Sequence, residues 1–180
     1  MNPSLEQLAG QFTRLVESGP APVAAVPAGA GPAAATPAPA AVAAAVPPPG
    51  PVQVVDFALK GFHLDARVDS SLVVASAEIM DQAGFGLDAI TGVDWLAQNE
   101  MEVVYDYFHP TSPLRVVVRT RIPRVSPELP TIGGVFPGAN WHERETHDFF
   151  GILFAGNPNM KPFLLPEDAD FHPLLKDYKP

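Results

Sequence analysis

Apolar residues recur at helical spacing in one short segment near the start of the chain. Ser4 and Gln7 have the spacing of a capping box, in which each side chain satisfies the other's backbone N–H. The pattern predicts an amphipathic helix within residues 1–18, and a helix this short needs a partner surface for its apolar face. The residues on that face are Leu5, Leu8, Phe12, Leu15 and Val16.

The pattern disappears over residues 19–51, which consist almost entirely of proline, alanine, glycine and valine without any charge. Proline removes backbone donors and favours an extended backbone, while alanine offers little apolar area against the entropy of ordering. We expect a disordered, semi-extended linker here.

Residues 52–180 carry the patterns of a folded domain. Strands are predicted over residues 54–64 and 88–95, and a helix from Ser70 or Ser71 as its cap to Asp81. Two further strands, residues 101–108 and 114–122, flank a proline-containing turn and predict a hairpin. This order predicts an α+β fold, with a small mixed or antiparallel sheet and helices on one face.

The second hairpin strand alternates most clearly. Its apolar residues point one way, and Arg115, Arg119 and Arg121 point the other way, with Arg124 extending the row. Two interpretations stay open: a solvated sheet face, or a basic stripe that docks an acidic partner.

Prolines and glycines interrupt the sequence after residue 122, apart from one helical pattern over residues 141–150. Asn140 with Glu143 predicts a capping box at its start, and Gly151 predicts its end. Residues 152–180 form a proline-rich extension with irregularly spaced apolar residues. Such a segment buries little by itself, so we expect it to lie across another surface.

Charge and cysteine content narrow the function. The protein has 180 residues, 11 of them basic and 20 acidic, which gives a net charge of −9. This balance is unfavourable for binding a phosphate backbone, so no nucleic-acid partner is expected. No cysteine is present to hold an iron–sulfur cluster through thiolates. The sequence shows neither a secretory signal nor a membrane span, so membrane association is expected to be indirect.

The segment H-E-R-E-T-H, residues 142–147, resembles a cluster of metal ligands. Its two histidines are five apart, which rotates the second by roughly 140° and excludes the zinc-protease spacing of four. Glu143 and His147 do share a helical face, and His172 could supply a third ligand. A metal-dependent hydrolase therefore stays open as an alternative.

Longer sequence motifs favour a function other than metal-dependent hydrolysis. Residues 143–152, E-R-E-T-H-D-F-F-G-I, resemble the signature of the 30 kDa (C-type) subunit family of respiratory complex I. T-G-V-D-W-L at residues 91–96 and H-P-L-L-K-D-Y at residues 172–178 match in the same order, and the resemblance extends over about residues 54–180. The sequence departs from the family at His147, Asn157 and Leu175, where an aromatic residue, histidine and arginine are usual.

The resemblance implies a cytoplasmic-side peripheral subunit of an NADH:quinone oxidoreductase that drives proton translocation. It implies packing on the large, hydrogenase-like subunit, with no cofactor and no catalytic residue on this chain; iron–sulfur clusters and a flavin or nickel–iron centre would belong to partner subunits. An energy-converting [NiFe] hydrogenase complex, and a soluble adaptor acting through the N-terminal helix, stay open. The residues implied at the subunit interface are Glu143, Arg144, Glu145, Asp148, Phe149, Phe150, Gly151, Pro173, Lys176 and Asp177.

Overall fold

A five-stranded mixed sheet forms the centre of the domain in the computed structural model, which describes residues 4–19 and 50–179. Its strands lie in the order β1-β2-β5-β4-β3, and only the β2–β5 pair is parallel. This confirms the predicted α+β class. The predicted linker lies almost entirely outside the described residues. The strands are β1 (Val52–Val54), β2 (Leu64–Arg67), β3 (Gly86–Trp95), β4 (Glu100–Phe108) and β5 (Arg115–Pro123).

Helices pack against this sheet. Helix α1 contacts β1, β2 and α3, whereas α4 lies along β3. A separate pair of parallel strands, β6 (Glu128–Pro130) and β7 (Leu153–Ala155), joins the segment before α4 to the segment after it and was not predicted. No helix in the described ranges is long and apolar enough to span a bilayer. The helices are α1 (Leu5–Ser18), α2 (Phe57–Lys60), α3 (Val73–Gln82) and α4 (Ala139–Phe150).

The predicted strand over residues 54–64 is wrong. The Asp56 side chain accepts a hydrogen bond from the Ala58 N–H at 2.9 Å and starts α2. Gly61 then ends that helix with φ +78°, a conformation that glycine adopts without strain. The backbone therefore reverses, and β1 pairs antiparallel with β2. Local capping chemistry overrides the apolar pattern here.

The start of the next helix is also corrected. Asp69, rather than Ser70 or Ser71, caps a 3-10 turn over Ser70–Leu72 by accepting from the Ser71 N–H at 2.9 Å. Helix α3 follows directly and ends one residue later than predicted.

The predicted hairpin is confirmed. Met101 pairs with Ile122 and Tyr107 with Val116 in an antiparallel register, so the predicted apolar face of β5 turns into the core. Leu8 and Phe12 of α1 are fully buried in the same cluster. In this structure, the partner surface of α1 is therefore this domain itself, which covers the apolar face that the adaptor alternative would use.

Helix α4 begins differently from its prediction. Its first N–H groups bind backbone carbonyls of the preceding turn, from Ala139 to Phe136 O at 2.8 Å and from Trp141 to Gly138 O at 3.2 Å. No side chain caps the helix, so the predicted Asn140–Glu143 capping box is wrong. Gly151 ends the helix with φ +73°, as predicted.

Candidate functional site

Glu143 is fully buried in the middle of α4. Its carboxylate accepts hydrogen bonds from Thr131 Oγ1 at 2.6 Å, the Ile132 N–H at 2.9 Å and Asn157 Nδ2 at 2.7 Å. These donors lie in the segments that precede and follow α4, so the carboxylate joins both segments to the helix. A buried carboxylate with three donors is satisfied, and its acceptors point into the domain rather than toward a partner.

Asp148, further along α4, holds the C-terminal extension. One carboxylate oxygen accepts the N–H groups of three consecutive residues, Phe163, Leu164 and Leu165, at 2.8, 2.7 and 3.1 Å. Burial raises the pKa of the Asp148 carboxyl, but these hydrogen bonds outweigh burial and hold the pKa below its ordinary value. Asp148 is therefore ionised and fixes the backbone of the extension.

Arg144, also on α4, binds the backbone of the C-terminal extension just before the residues that Asp148 holds. Its guanidinium donates to the carbonyl oxygens of Lys161 at 3.0 Å and Pro162 at 2.9 Å. It also lies over the rings of Trp141 and Phe163, at 5.4 and 4.9 Å from their centroids. The resemblance implied an inter-subunit role for Arg144; the structure gives this guanidinium partners within its own chain.

Asp94, at the end of β3, holds the far end of the extension. Its buried carboxylate accepts two hydrogen bonds from Arg124, at 2.8 and 3.1 Å, and one from the Lys176 N–H at 2.8 Å. Burial raises the pKa of the Asp94 carboxyl, but the contacts with Arg124 and Lys176 outweigh it and lower the pKa below its ordinary value. Asp177 forms a second ion pair with Arg124. Sequence reasoning assigned no role to Asp94, although it lies in the T-G-V-D-W-L motif.

Two glycines allow the close packing at this site. A Cβ on Gly92 would lie 2.5 Å from the Phe150 ring, and a Cβ on Gly151 would lie 2.8 Å from the His172 ring. The Phe149 carbonyl accepts from the Leu174 N–H at 3.1 Å, which continues the attachment of the extension to α4. Phe150 and Gly151 thus pack within the domain, and Phe149 contributes its backbone carbonyl.

Five large apolar side chains remain exposed after these contacts are made. They lie on the extension and on the adjoining start of α4, and Trp141 packs on Phe163 with ring centroids 5.1 Å apart. The Glu145 carboxylate, on the same helix, forms no hydrogen bond or ion pair among the described residues. Pro173, next to Leu174 in the sequence, is half-buried. The exposed apolar residues are Trp141, Phe163, Leu164, Phe171 and Leu174, and we call them the tail patch.

The proposed metal ligands do not form a site. The His147 and His172 rings are 6.0 Å apart, and each Nδ1 binds a backbone carbonyl, of Ile152 and Asp148 respectively. Glu143 is occupied by its three donors. Across residues 4–19 and 50–179, no group of three or more potential ligands could hold a metal ion. The geometry therefore gives no support to the hydrolase alternative.

The arginine stripe is neutralised within its own sheet face. Arg115 pairs with Asp88 and Asp106, Arg119 with Asp65 at 3.0 Å, and Arg121 with Glu100 at 2.9 Å and Glu102 at 3.4 Å. Arg121 also lies 4.7 Å from the Trp95 ring centroid. This arrangement favours the solvated-face interpretation over a basic docking surface.

Comparison with known proteins decides the family. The family model described as respiratory-chain NADH dehydrogenase, 30 Kd subunit, matches residues 66–180. The protein belongs to this family. Its match includes β3, α4 and the whole extension, and therefore every residue of the candidate interface, and it confirms the resemblance seen in the motifs.

Relatives within the family come from complexes with different names. The protein is 38% identical over 122 residues to the C-type subunit of the NADH-quinone oxidoreductase of Roseiflexus sp. strain RS-1, covering 62% of this chain and 70% of the relative. It is 39% identical over 94 residues to the C-type subunit of the F(420)H(2) dehydrogenase of Methanosarcina mazei, covering 52% of this chain and 60% of that relative.

Solved structures agree with the fold. One polypeptide of the membrane-bound sulfane sulfur reductase, an archaeal respiratory membrane complex, superposes with a TM-score of 0.60 at 32% identity, covering 64% of this chain and 71% of that one. A trypsin-resistant fragment of Nqo5 gives a TM-score of 0.51 at 28% identity, with 61% and 88% covered. The protein is thus a subunit of a complex I-like respiratory assembly.

Proposed function

We propose that the protein is a non-catalytic peripheral subunit of an NADH:quinone-type, proton-translocating oxidoreductase, in which it packs on the large, hydrogenase-like subunit. Family membership supports this proposal, as does the recurrence of NADH-quinone oxidoreductase among the names of its relatives. The iron–sulfur clusters and the flavin, or the nickel–iron centre of a hydrogenase-type complex, would then reside on partner subunits.

The tail patch is the observation that carries the proposal. The extension is fixed to the domain by Asp94, Arg144 and Asp148, so its backbone is positioned before any partner binds. Grouped exposed apolar side chains mark protein–protein interaction sites, and aromatic residues are enriched at the centre of such interfaces. The charged residues of the motif therefore hold the extension in place, and the apolar side chains of the tail patch contact the partner.

The proposed position is on the cytoplasmic side of the membrane, with the membrane contact made by other subunits. The name of the sulfane sulfur reductase, a respiratory membrane complex, supports the membrane association but does not bear on the side of the membrane. An assembly of this kind needs hydrophilic subunits that bind to one another rather than to lipid. The tail patch gives this protein such a contact.

Affinity purification tests the proposal. A tagged double variant, Leu164→Asp with Leu174→Asp, places two carboxylates in the proposed interface, where unpaired burial of charge is costly. We expect the amount of co-purified large subunit to fall at least about tenfold, with an unchanged circular dichroism spectrum. Leu59→Asp is the matched control, since Leu59 is exposed on α2. Undiminished capture by the double variant would refute the proposed interface.

Mass spectrometry of the wild-type preparation identifies the type of complex. Flavin-bearing, NADH-oxidising subunits among the co-purified proteins are the expected result. A nickel–iron large subunit in their place would assign the protein to a hydrogenase-type assembly instead.

A further inference from the structure

The two terminal segments of this domain are attached in different ways. The C-terminal extension is held by buried carboxylates and a guanidinium that bind its backbone. In contrast, every hydrogen bond that we observe for residues 4–19 closes within that segment, from the Ser4–Gln7 capping box to the Gly19 N–H on Leu15 O. Among the described residues, α1 is therefore joined to the rest of the domain by apolar contact alone.

The apolar contact is narrow and well defined. Leu8 and Phe12 are fully buried, and the flanking apolar residues of α1 are partly buried against the same cluster. The surface beneath is built by β1, β2 and α3. Gly19, just after α1, allows the chain to pack closely against the domain, since a Cβ there would lie 2.6 Å from Leu72 Cδ1. An amphipathic helix in an apolar groove is a recurrent mode of peptide recognition, with anchors spaced three or four residues apart.

The covalent connection between α1 and β1 is long in sequence but has neighbouring ends. Val16, near the end of α1, and Pro51, just before β1, line one cleft of about 450 Å³ together with Leu72. The two ends of the connection are therefore close in space, whereas residues 20–49 separate them in the sequence. Thirty residues therefore connect α1 to β1, and a connection of this length corresponds to an effective concentration of α1 on the order of 1 mM.

We propose that the surface formed by β1, β2 and α3 is a helix-binding groove, and that α1 is its detachable occupant, bound within the same molecule. Free α1 is too short to be a stable helix in water, so binding couples folding of α1 to burial of its anchors. We expect the domain without α1 to keep its sheet, its α4 contacts and its attached extension, because their hydrogen bonds do not involve α1, while the apolar groove becomes exposed.

The test uses the full-length protein with a specific protease site placed between residues 30 and 40. The sequence has no cysteine, so Glu17→Cys, at an exposed position of α1, gives a unique attachment point for a dye. The labelled protein is folded, cleaved and then diluted. Dye anisotropy reports release of α1, and the fluorescence of Trp95 and Trp141, on β3 and α4, reports the remaining domain.

We expect anisotropy to fall on dilution with a single Kd in the micromolar range, while tryptophan fluorescence stays constant. Phe12→Ala, which removes the largest buried anchor, should raise this Kd at least about 100-fold. Gln11→Ala, at the exposed neighbouring position, should change it by less than about threefold.

Two results would overturn the proposal. Retention of α1 at nanomolar concentration, or its release only together with a change in tryptophan fluorescence, would make α1 an inseparable part of the core. A dimer of the uncleaved protein by light scattering, converted to monomer by Phe12→Ala, would place α1 on a second copy and contradict binding within one molecule.

Discussion

Replacing Asp94 with asparagine should detach the end of the C-terminal extension. The substitution keeps the size of the side chain but removes the charge that three donors share. Arg124 then keeps only Asp177, whose side chain is 52% exposed, while the Arg124 side chain itself is only 17% exposed. The Lys176 N–H also loses its charged acceptor.

The magnitude follows from the burial of the pair. The Asp94 side chain is 0% exposed, so its interactions are poorly screened by solvent. Weakening hydrogen bonds to a buried charge costs about 1.5–3 kcal/mol each, and breaking a buried ion pair costs about 3–5 kcal/mol. Because Asp177 remains, we expect a loss of about 3 kcal/mol in the free energy of unfolding. Asp88→Asn, which breaks a largely exposed pair with Arg115, should cost less than about 1 kcal/mol.

Urea unfolding of the full-length protein measures these free energies, and hydrogen exchange measures the local effect. The Lys176 amide should exchange about 100-fold faster in Asp94→Asn, since its protection depends on this carboxylate. A double-mutant cycle with Arg124→Met should give a coupling energy of at least about 1 kcal/mol. Equal stability losses for Asp94→Asn and Asp88→Asn, with unchanged exchange at Lys176, would refute the role assigned to Asp94.

Three further perturbations test other parts of the site. The pKa values of Asp94 and Asp148 are lowered by folding, so both carboxyls stabilise the domain fully above about pH 4, and this stabilisation is lost as the pH falls through their folded pKa values. Urea unfolding between about pH 2 and 6 should show this loss of stability, and Asp148→Asn should make the free energy of unfolding depend less on pH. An unchanged pH dependence in Asp148→Asn would contradict the stabilising role of the Asp148 carboxylate. Gly92→Ala should lower the free energy of unfolding by urea by about 1–3 kcal/mol, because its Cβ would lie 2.5 Å from the Phe150 ring. Gly134→Ala is the control and should be near neutral, since the space around Gly134 is open. Equal effects of the two substitutions would contradict this packing. Arg144→Ala should speed hydrogen exchange at the amides of residues 163–165 without unfolding the domain, because Arg144 holds the carbonyls of the two preceding residues. Unaltered exchange at these amides would argue against the intrachain role of Arg144.

Elements with a regular period could be predicted from the sequence. Alternation in β5 indicated the hairpin and its buried face, and the apolar stripe with Ser4 and Gln7 indicated α1 and its capping box. These patterns work because burial repeats with the geometry of the element. The apolar pattern over residues 54–64 predicted a strand wrongly. Asp56 and Gly61 form a short helix there, and these two single residues produce no periodic pattern.

The sequence indicated which residues belong to the candidate site but not which groups they bind. Its motifs identified the family, but the roles of Asp94, Glu143 and Asp148 depend on backbone N–H groups as far as 82 positions away. Every residue except proline supplies such a donor, so no residue type marks the partner. The charges therefore looked available for another subunit, whereas folding uses most of them inside the domain.

Site-specific photo-crosslinking tests the proposed interface most directly. A photoreactive phenylalanine derivative replaces Leu164 or Leu174 in the tail patch, with Leu59 as the control, in cells that assemble the complex. We predict light-dependent adducts of the two tail-patch positions with the large subunit, and none from position 59. Adducts from position 59 alone, or adducts of the tail patch with a protein outside the complex, would contradict the proposed interface.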